Sequence, residues 1–248
     1  MSILLHGDCL ELMKNLDDES VDLIFCDLPY GVLNCKWDCP IDLDLFWIQV
    51  MRIKKLNTPI FMTTTTKFGV SLINSAPKKL KFFDLVFVKS SSSGFLLSKK
   101  FPLRKHEMIY CFYEKLPFYD LSSHKHKYID KEETGGATGI RKDKHETGYG
   151  ENIHYHCNQQ KNGESIYDPP LPNSILEIKS TRGKHSTEKP VALIEWILKY
   201  YSKEGDVVLD PTMGSGSSGL AAKNLNRNFI GMEMDDEIYE VAVNRIEN

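Results

Sequence analysis

The run Val207-Val208-Leu209-Asp210-Pro211-Thr212-Met213-Gly214-Ser215-Gly216 decides the fold. Its first half is an apolar strand. Its second half is a tight turn with two glycines, followed by a helical pattern that continues to Asn224. Glycine lets a backbone approach a ligand closely and adopt positive φ, while the helix behind it offers free N–H groups. Another apolar strand spans 229–232 and ends at Glu233, and a last helix covers 238–246. An acid about twenty residues beyond such a turn, after the next strand, suits hydrogen bonds to ribose hydroxyls. The spacing differs from the dinucleotide fingerprint, and no Lys follows the glycines as in a phosphate-binding loop. An adenosine ligand without phosphates fits better. Any tight strand–helix turn uses glycines, but strand, turn, helix, strand and acid in this order point to a ligand.

Working outward, the preceding helix spans 191–201, and the first third of the chain alternates strands with helices. Residues 3–5 form a short strand and 10–16 have helical spacing. The run 21–26 (VDLIFC) is nearly continuous in apolar residues, as in a strand buried on both faces. A helix over 43–53, a strand over 59–62, a helix over 68–73 and strands over 82–88 and 108–112 follow. This alternation implies crossover units and a mostly parallel sheet in an α/β fold. Pattern fails from 114 to 182, a polar stretch holding five of the eight histidines. It is too long for an ordinary connection and reads as an insert.

Of the 248 residues, 41% are hydrophobic and 26% charged, enough for one sizeable core. No apolar run reaches the length of about 18 residues that a membrane span needs. The N-terminus meets Asp8 too early to be a signal peptide. The six cysteines are scattered without disulfide spacing, which suits a reducing, cytoplasmic compartment. A net charge of −3 argues against indiscriminate polyanion binding, yet charge is segregated. Lys78, Lys79, Lys81, Lys89, Lys99, Lys100, Arg104 and Lys105 face only Asp84 within their stretch, whereas the last sixteen or so residues are acidic. Lys89, Lys99, Lys100, Arg104 and Lys105 are the candidate phosphate contacts, against the plainer reading of a solvated basic face.

A second loop, Asp27-Leu28-Pro29-Tyr30-Gly31, directly follows the buried strand at 21–26. Methylating an exocyclic amine requires its lone pair, delocalised into the base, to be redirected at the methyl. The Asp27 carboxylate and the residue-28 carbonyl are two acceptors that could be aimed at the amino hydrogens. Pro29 restricts Leu28 to extended backbone, and Tyr30 offers a ring on which a base can stack, worth about 1–3 kcal/mol. Alone, this is also an ordinary Asp-x-Pro turn.

Joined, these loops resemble those of the DNA amino-methyltransferases, the N6-adenine and N4-cytosine family. The first is similar to their Asp-Pro-Phe-x-Gly-Ser-Gly motif, with Thr212 for the aromatic. The second is similar to Asp-Pro-Pro-Tyr, with Leu28 for the first Pro. His6-Gly7-Asp8-Cys9-Leu10 resembles the segment that meets the cofactor's adenine, and Thr187-Glu188-Lys189-Pro190 one whose Lys meets its methionine carboxylate. Pro102-Leu103-Arg104-Lys105-His106-Glu107 matches a recurrent stretch before a core strand. The catalytic motif precedes the cofactor motif, the order of the beta class.

The resemblance implies an S-adenosylmethionine-dependent methyltransferase (Rossmann-like) fold, a seven-stranded mostly parallel sheet with helices on both faces. The catalytic domain would comprise 1–114 and 181–248, and 115–180 a target-recognition insert. It implies catalytic Asp27, Leu28, Pro29 and Tyr30. It assigns to S-adenosylmethionine Asp8, Cys9, Asp27, Lys189, Asp210, Thr212, Gly214, Ser215, Gly216, Glu233 and Met234. The reaction expected is methylation of adenine N6 in double-stranded DNA with the base flipped out, because the catalytic loop begins with Asp. N4-cytosine enzymes of the family usually begin with Ser. A homodimer and a cognate restriction endonuclease are further partners the resemblance raises. The other readings are a DNA-binding protein without catalysis, or an RNA, protein or small-molecule methyltransferase. Leu28 is less rigid than Pro, and Trp37 is a candidate to replace the missing ring. Cys35, Cys39, His154, His156 and Cys157 could ligate zinc but lack finger spacing, so no metal is expected.

Overall fold

The computed structural model describes residues 1–30, 40–130, 163–179 and 188–248. The chain divides into two compact units, one of residues 1–120 and 173–248, the other of 121–172.

In chain order the first unit begins with β1 (Ser2–His6), α1 (Cys9–Met13), β2 (Leu23–Cys26), α2 (Leu43–Ile53), β3 (Ile60–Thr64) and α3 (Thr66–Ser75). The long β4 (Lys81–Ser93) and β5 (Arg104–Tyr113) follow. The second unit holds β6 (Lys125–Asp130) and β7 (Gly163–Asp168). The first unit resumes with β8 (Ile175–Glu177), α4 (Val191–Tyr201), β9 (Val207–Asp210), α5 (Ser217–Asn224), β10 (Asn228–Glu233) and α6 (Asp236–Glu247).

Its sheet has the order β1-β10-β9-β2-β3-β5-β4-β8, with eight strands among the described residues. Only β5 opposes its neighbours; every other pairing is parallel. The methyltransferase-type α/β fold is thus present, with one strand more than the seven expected. The extra strand, β8, has three residues with only Leu176 buried, too short for periodicity to reveal inside a polar stretch. The expected strands at 82–88 and 108–112 are parts of longer ones, extended at the end of β4 and the start of β5. Beyond Val88↔His106, β4 and β5 continue as a polar ribbon to Ser93↔Arg104.

The continuous apolar strands make sense because both faces are covered. Along β2, Leu23 and Phe25 pack with Leu193, Ile197 and Ala221 on the side of α4 and α5. Ile24 and Cys26 face the opposite layer, with Phe46, Val50 and Leu72 of α2 and α3. In α2 the buried residues Phe46, Trp47, Val50 and Ile53 recur at helical spacing. Its start is fixed by Asp42, whose carboxylate accepts the Leu45 N–H at 3.0 Å. Close packing leaves room only for glycine at Gly219, where a Cβ would lie 2.3 Å from Ile246 Cδ1.

The topology also places a crevice. From β9 the chain crosses through α5 to β10 on one side, and from β2 through α2 to β3 on the other. Outside the carboxyl ends of β9 and β2 the connections diverge, which is where open α/β sheets take their ligands. No helix among the described residues is long and apolar enough to cross a membrane. Cys9, Cys26 and Cys111 are free and buried.

The second unit contains an antiparallel pair, with Lys125 opposite Asp168 and Asp130 opposite Gly163. The Lys127 and Asp168 side chains form an ion pair across it. Sequence patterning had shown no elements there, because the strands are polar and do not alternate.

Candidate active site

A cleft of about 910 Å³ opens at that divergence. Residues following β1, β2, β9 and β10 line it together: Asp8, Asp27, Tyr30, Asp210, Gly214 and Glu233 among them. Two loops about 180 positions apart in the chain meet here. The Thr212 hydroxyl donates to the Asp27 backbone carbonyl at 3.4 Å.

The cofactor loop is built around two acids. Asp210, 3% exposed at the end of β9, accepts the Thr212 N–H at 3.0 Å and the Ser218 hydroxyl at 2.5 Å, so it braces the turn from both sides. Burial raises its pKa from 3.8 to about 7, against those two hydrogen bonds and with help from Asp27 and Glu233. Glu233, at the end of β10, accepts the Gly214 N–H at 3.0 Å on Oε2, and the Met234 and Asp235 N–H groups at 2.9 Å on Oε1. A carboxylate offers about four lone-pair sites, so among the described residues one on Oε2 is left for a hydroxyl. Gly214 has φ 51°, and a Cβ there would meet open space, so the backbone itself faces the cleft.

Asp8 accepts the Leu10 N–H at 2.7 Å and caps α1. Cys9 lies buried beneath, its thiol pushed up to about 12 by burial first and by Asp8 next, which makes it a packing residue and no nucleophile. Ser215 and Gly216 complete the turn, Gly216 with φ 81° at the start of α5. Met234 is largely exposed at the rim.

The catalytic loop is held as firmly. Asp27 Oδ1 accepts the Tyr30 hydroxyl at 2.7 Å and also the Thr63 hydroxyl, while Oδ2 accepts Lys189 Nζ at 2.6 Å. The Tyr30 ring lies 5.2 Å from that of Phe68. Leu28, a residue 2% exposed, is anchored in the core. Burial therefore supplies the rigidity that the missing Pro would have given its carbonyl. Trp37 falls outside the described residues, as do Gly31, Thr187, Cys35, Cys39, His154, His156 and Cys157.

Lys189 sits between acids, 2.6 Å from Asp27 and 3.5 Å from Glu107. Burial opposes its charge, but the two carboxylates outweigh burial and hold the ammonium above the ordinary lysine range. Glu107 also pairs with Lys89 at 3.2 Å. Lys89 is thus a half-buried wall residue, unlike the exposed Lys99, Lys100, Arg104 and Lys105.

Sequence reasoning missed several residues. Glu188 is held by Arg245 at 2.6 Å and by the Ser217 hydroxyl at 3.1 Å. Burial works against its charge, yet Arg245 and the serines hold its carboxyl below the usual range. Thr63, near the end of β3, and Glu107, the fourth residue of β5, complete the surroundings, Thr63 on Asp27 itself and Glu107 through Lys189. Glu107 and Glu188 stand inside the family-like segments without a role assigned to them, and Thr63 is one of four consecutive threonines after an apolar run.

The donor set fits S-adenosylmethionine. Among the described residues, nine carboxylates line the cleft (of Asp8, Asp27, Asp42, Glu107, Glu188, Asp210, Glu233, Asp235 and Asp236) against Lys89 and Lys189. Such a cleft favours a sulfonium cation and repels a polyphosphate. Fold and cleft together define an S-adenosylmethionine-dependent methyltransferase.

Comparison with known proteins narrows the class. The chain belongs to the DNA methylase family, whose model matches residues 21–244. It is 27% identical over 274 residues to the type II methyltransferase M.HinfI of Haemophilus influenzae, covering 99% of this chain and 68% of that protein. It is 27% identical over 254 residues to the DNA adenine methyltransferase YhdJ of Escherichia coli (strain K12), covering 98% and 82%. The solved structure of the M1.HpyAVI–SAM complex shares the fold, with a TM-score of 0.63, 23% identity and full coverage of both chains.

Proposed function

We propose that the protein methylates N6 of adenine in duplex DNA, acting on a base flipped out of the helix. The observation that carries this reading is the meeting of the Asp27–Tyr30 loop with the Asp210–Gly216 loop in one cleft. S-adenosylmethionine, when bound, supplies an electrophilic methyl on its sulfonium sulfur. Glu233 and the Gly214 backbone would hold its ribose side, and Asp8 and Cys9 its adenine. Lys189, Glu188 and Ser217 lie toward the methionine end.

On the target side, three donors from the described residues fill Asp27, two on Oδ1 and one on Oδ2, and the remaining Oδ2 site would take an amino hydrogen. The Leu28 carbonyl takes the other hydrogen. Two acceptors in fixed directions draw the nitrogen lone pair out of conjugation and toward the methyl. Thr63 and Tyr30 keep the carboxylate from rotating, and Tyr30 presents its ring to the base. Flipping costs a few kcal/mol, which stacking and these hydrogen bonds offset.

Residues 115–180 serve as the target-recognition insert in this reading, contributing β8 to the sheet of the catalytic domain of 1–114 and 181–248. The expected setting is the cytoplasm, with a homodimer and a cognate restriction endonuclease as partners.

The test is long-read sequencing and nucleoside mass spectrometry of DNA from cells expressing the protein. N6-methyladenine at one short sequence is expected, and its loss in the Asp27→Ala variant by more than any weakening of cofactor binding, measured by calorimetry, accounts for. N4-methylcytosine without N6-methyladenine would move the assignment to cytosine. Unchanged methylation in Asp27→Ala would remove the proposed catalytic loop.

A further inference from the structure

Between β4 and β5 the chain makes a short 3₁₀ turn, Phe95–Leu97, entered through Gly94 with φ 93°. The turn is ordered by its own backbone: Leu97 N–H donates to Gly94 at 3.0 Å, and the Lys100 and Phe101 N–H groups donate to Leu97 at 2.8 and 3.0 Å. Yet it buries nothing. Phe95, Leu96, Leu97, Phe101 and Leu103 are all exposed, Leu96 completely. Large apolar side chains grouped at one tip mark an interaction surface.

Two observations identify what covers it. The first is charge: Lys99, Lys100, Arg104 and Lys105 flank the apolar residues, and no acid occurs from residue 85 to 106. That is complementary to a polyanion. The second is place. β3 ends at Thr64, opposite Met108, whereas the β4–β5 ribbon runs on to Ser93↔Arg104. Four residues of strand carry the tip about 13 Å past the sheet edge where the cleft opens. A smaller cleft of about 360 Å³, lined by Tyr30, Thr65, Ser93, Arg104 and His106, joins the root of the ribbon to the catalytic loop.

We propose that the Phe95–Leu97 turn is a wedge that enters the base stack of the substrate duplex beside the target adenine and fills the space the base vacates. Apolar side chains inserted between base steps unstack and kink a duplex. Here the flanking cations would hold the phosphates on either side. This rests on the reading that the protein methylates a flipped adenine.

The experiment compares the wild type with a Phe95→Ala/Leu96→Ala variant under single-turnover conditions. Two synthetic duplexes carry the sequence identified by long-read sequencing, one with the target adenine opposite thymine, the other opposite an abasic site. Because both side chains are exposed, the variant folds, as a thermal melt verifies. A wedge predicts about tenfold slower methylation of the paired duplex, and a rate within about twofold of wild type where no pair must be broken. Equal slowing on both duplexes, or no slowing on either, overturns the wedge. A fall in particle mass by light scattering would assign the tip to contact with a second copy of the chain and also overturn it. A wild type that methylates neither duplex at adenine removes the underlying reading, a different failure.

Discussion

Asp210→Asn should change how stability depends on pH, and in a defined direction. In the native protein this carboxyl is 3% exposed and burial lifts its pKa from 3.8 to about 7. Below about pH 4 the native and unfolded chains both hold the proton. From there to about pH 7 the unfolded chain loses it while the native chain keeps it, so stability falls as pH rises. Above pH 7 both are ionised and the full penalty of about 4 kcal/mol persists. Asparagine has nearly the same shape and no charge. Its amide oxygen can accept the Thr212 N–H, and its amide nitrogen can donate to the Ser218 hydroxyl oxygen. Between pH 5 and pH 8 the variant should therefore gain on the wild type by about 3 kcal/mol. Urea unfolding at several pH values measures that difference directly. Two parallel stability curves would refute the argument, because they would mean that Asp210 titrates alike in both states.

Other perturbations follow from the same contacts. Gly219→Ala places a Cβ 2.3 Å from Ile246 Cδ1 and 2.8 Å from Phe229 Cε1, so it should cost about 1–3 kcal/mol by thermal or urea unfolding. Glu188→Ala leaves Arg245 beside the cofactor loop without its 2.6 Å partner. A loss of about 2 kcal/mol of stability is expected, together with weaker S-adenosylmethionine binding by calorimetry. Lys99→Gln/Lys100→Gln should reduce the slope of log DNA affinity against log salt by about 2, while leaving cofactor binding unchanged.

The sheet and its crossovers were legible because fully buried strands such as Leu23–Cys26 stand out as unbroken apolar runs between turn residues. The two chemical loops were legible because each begins with an acid at the end of such a run. What escaped was long-range. Nothing in a linear chain announces that Thr63 and Lys189 converge on one carboxylate, or that Arg245, from the last helix, neutralises Glu188. The polar ribbon beyond Val88 escaped for another reason. Its serines and lysines have no buried face to impose alternation, and pairing with β5 alone makes it a strand. The basic stretch from Lys78 to Lys105 proved divided in space: Lys81 begins β4, thirteen residues long, and Ser93 ends it, so Lys78–Lys81 sit at the other end of the sheet from the tip.

The pairing of β1 alongside β10 has a consequence for how this molecule could be rewired. Helix α6 leaves β10, packs on β1 through the Tyr239 hydroxyl and the Leu4 carbonyl, and runs back toward the end where β1 starts. A short linker from the end of α6 to the start of β1 would turn β10, α6 and β1 into one more parallel crossover. New ends could then be opened between α4 and β9, so that translation meets the glycine turn before Asp27. Such a circularly permuted gene should still encode an active enzyme, since the cleft depends on which strands are neighbours and is indifferent to which is made first.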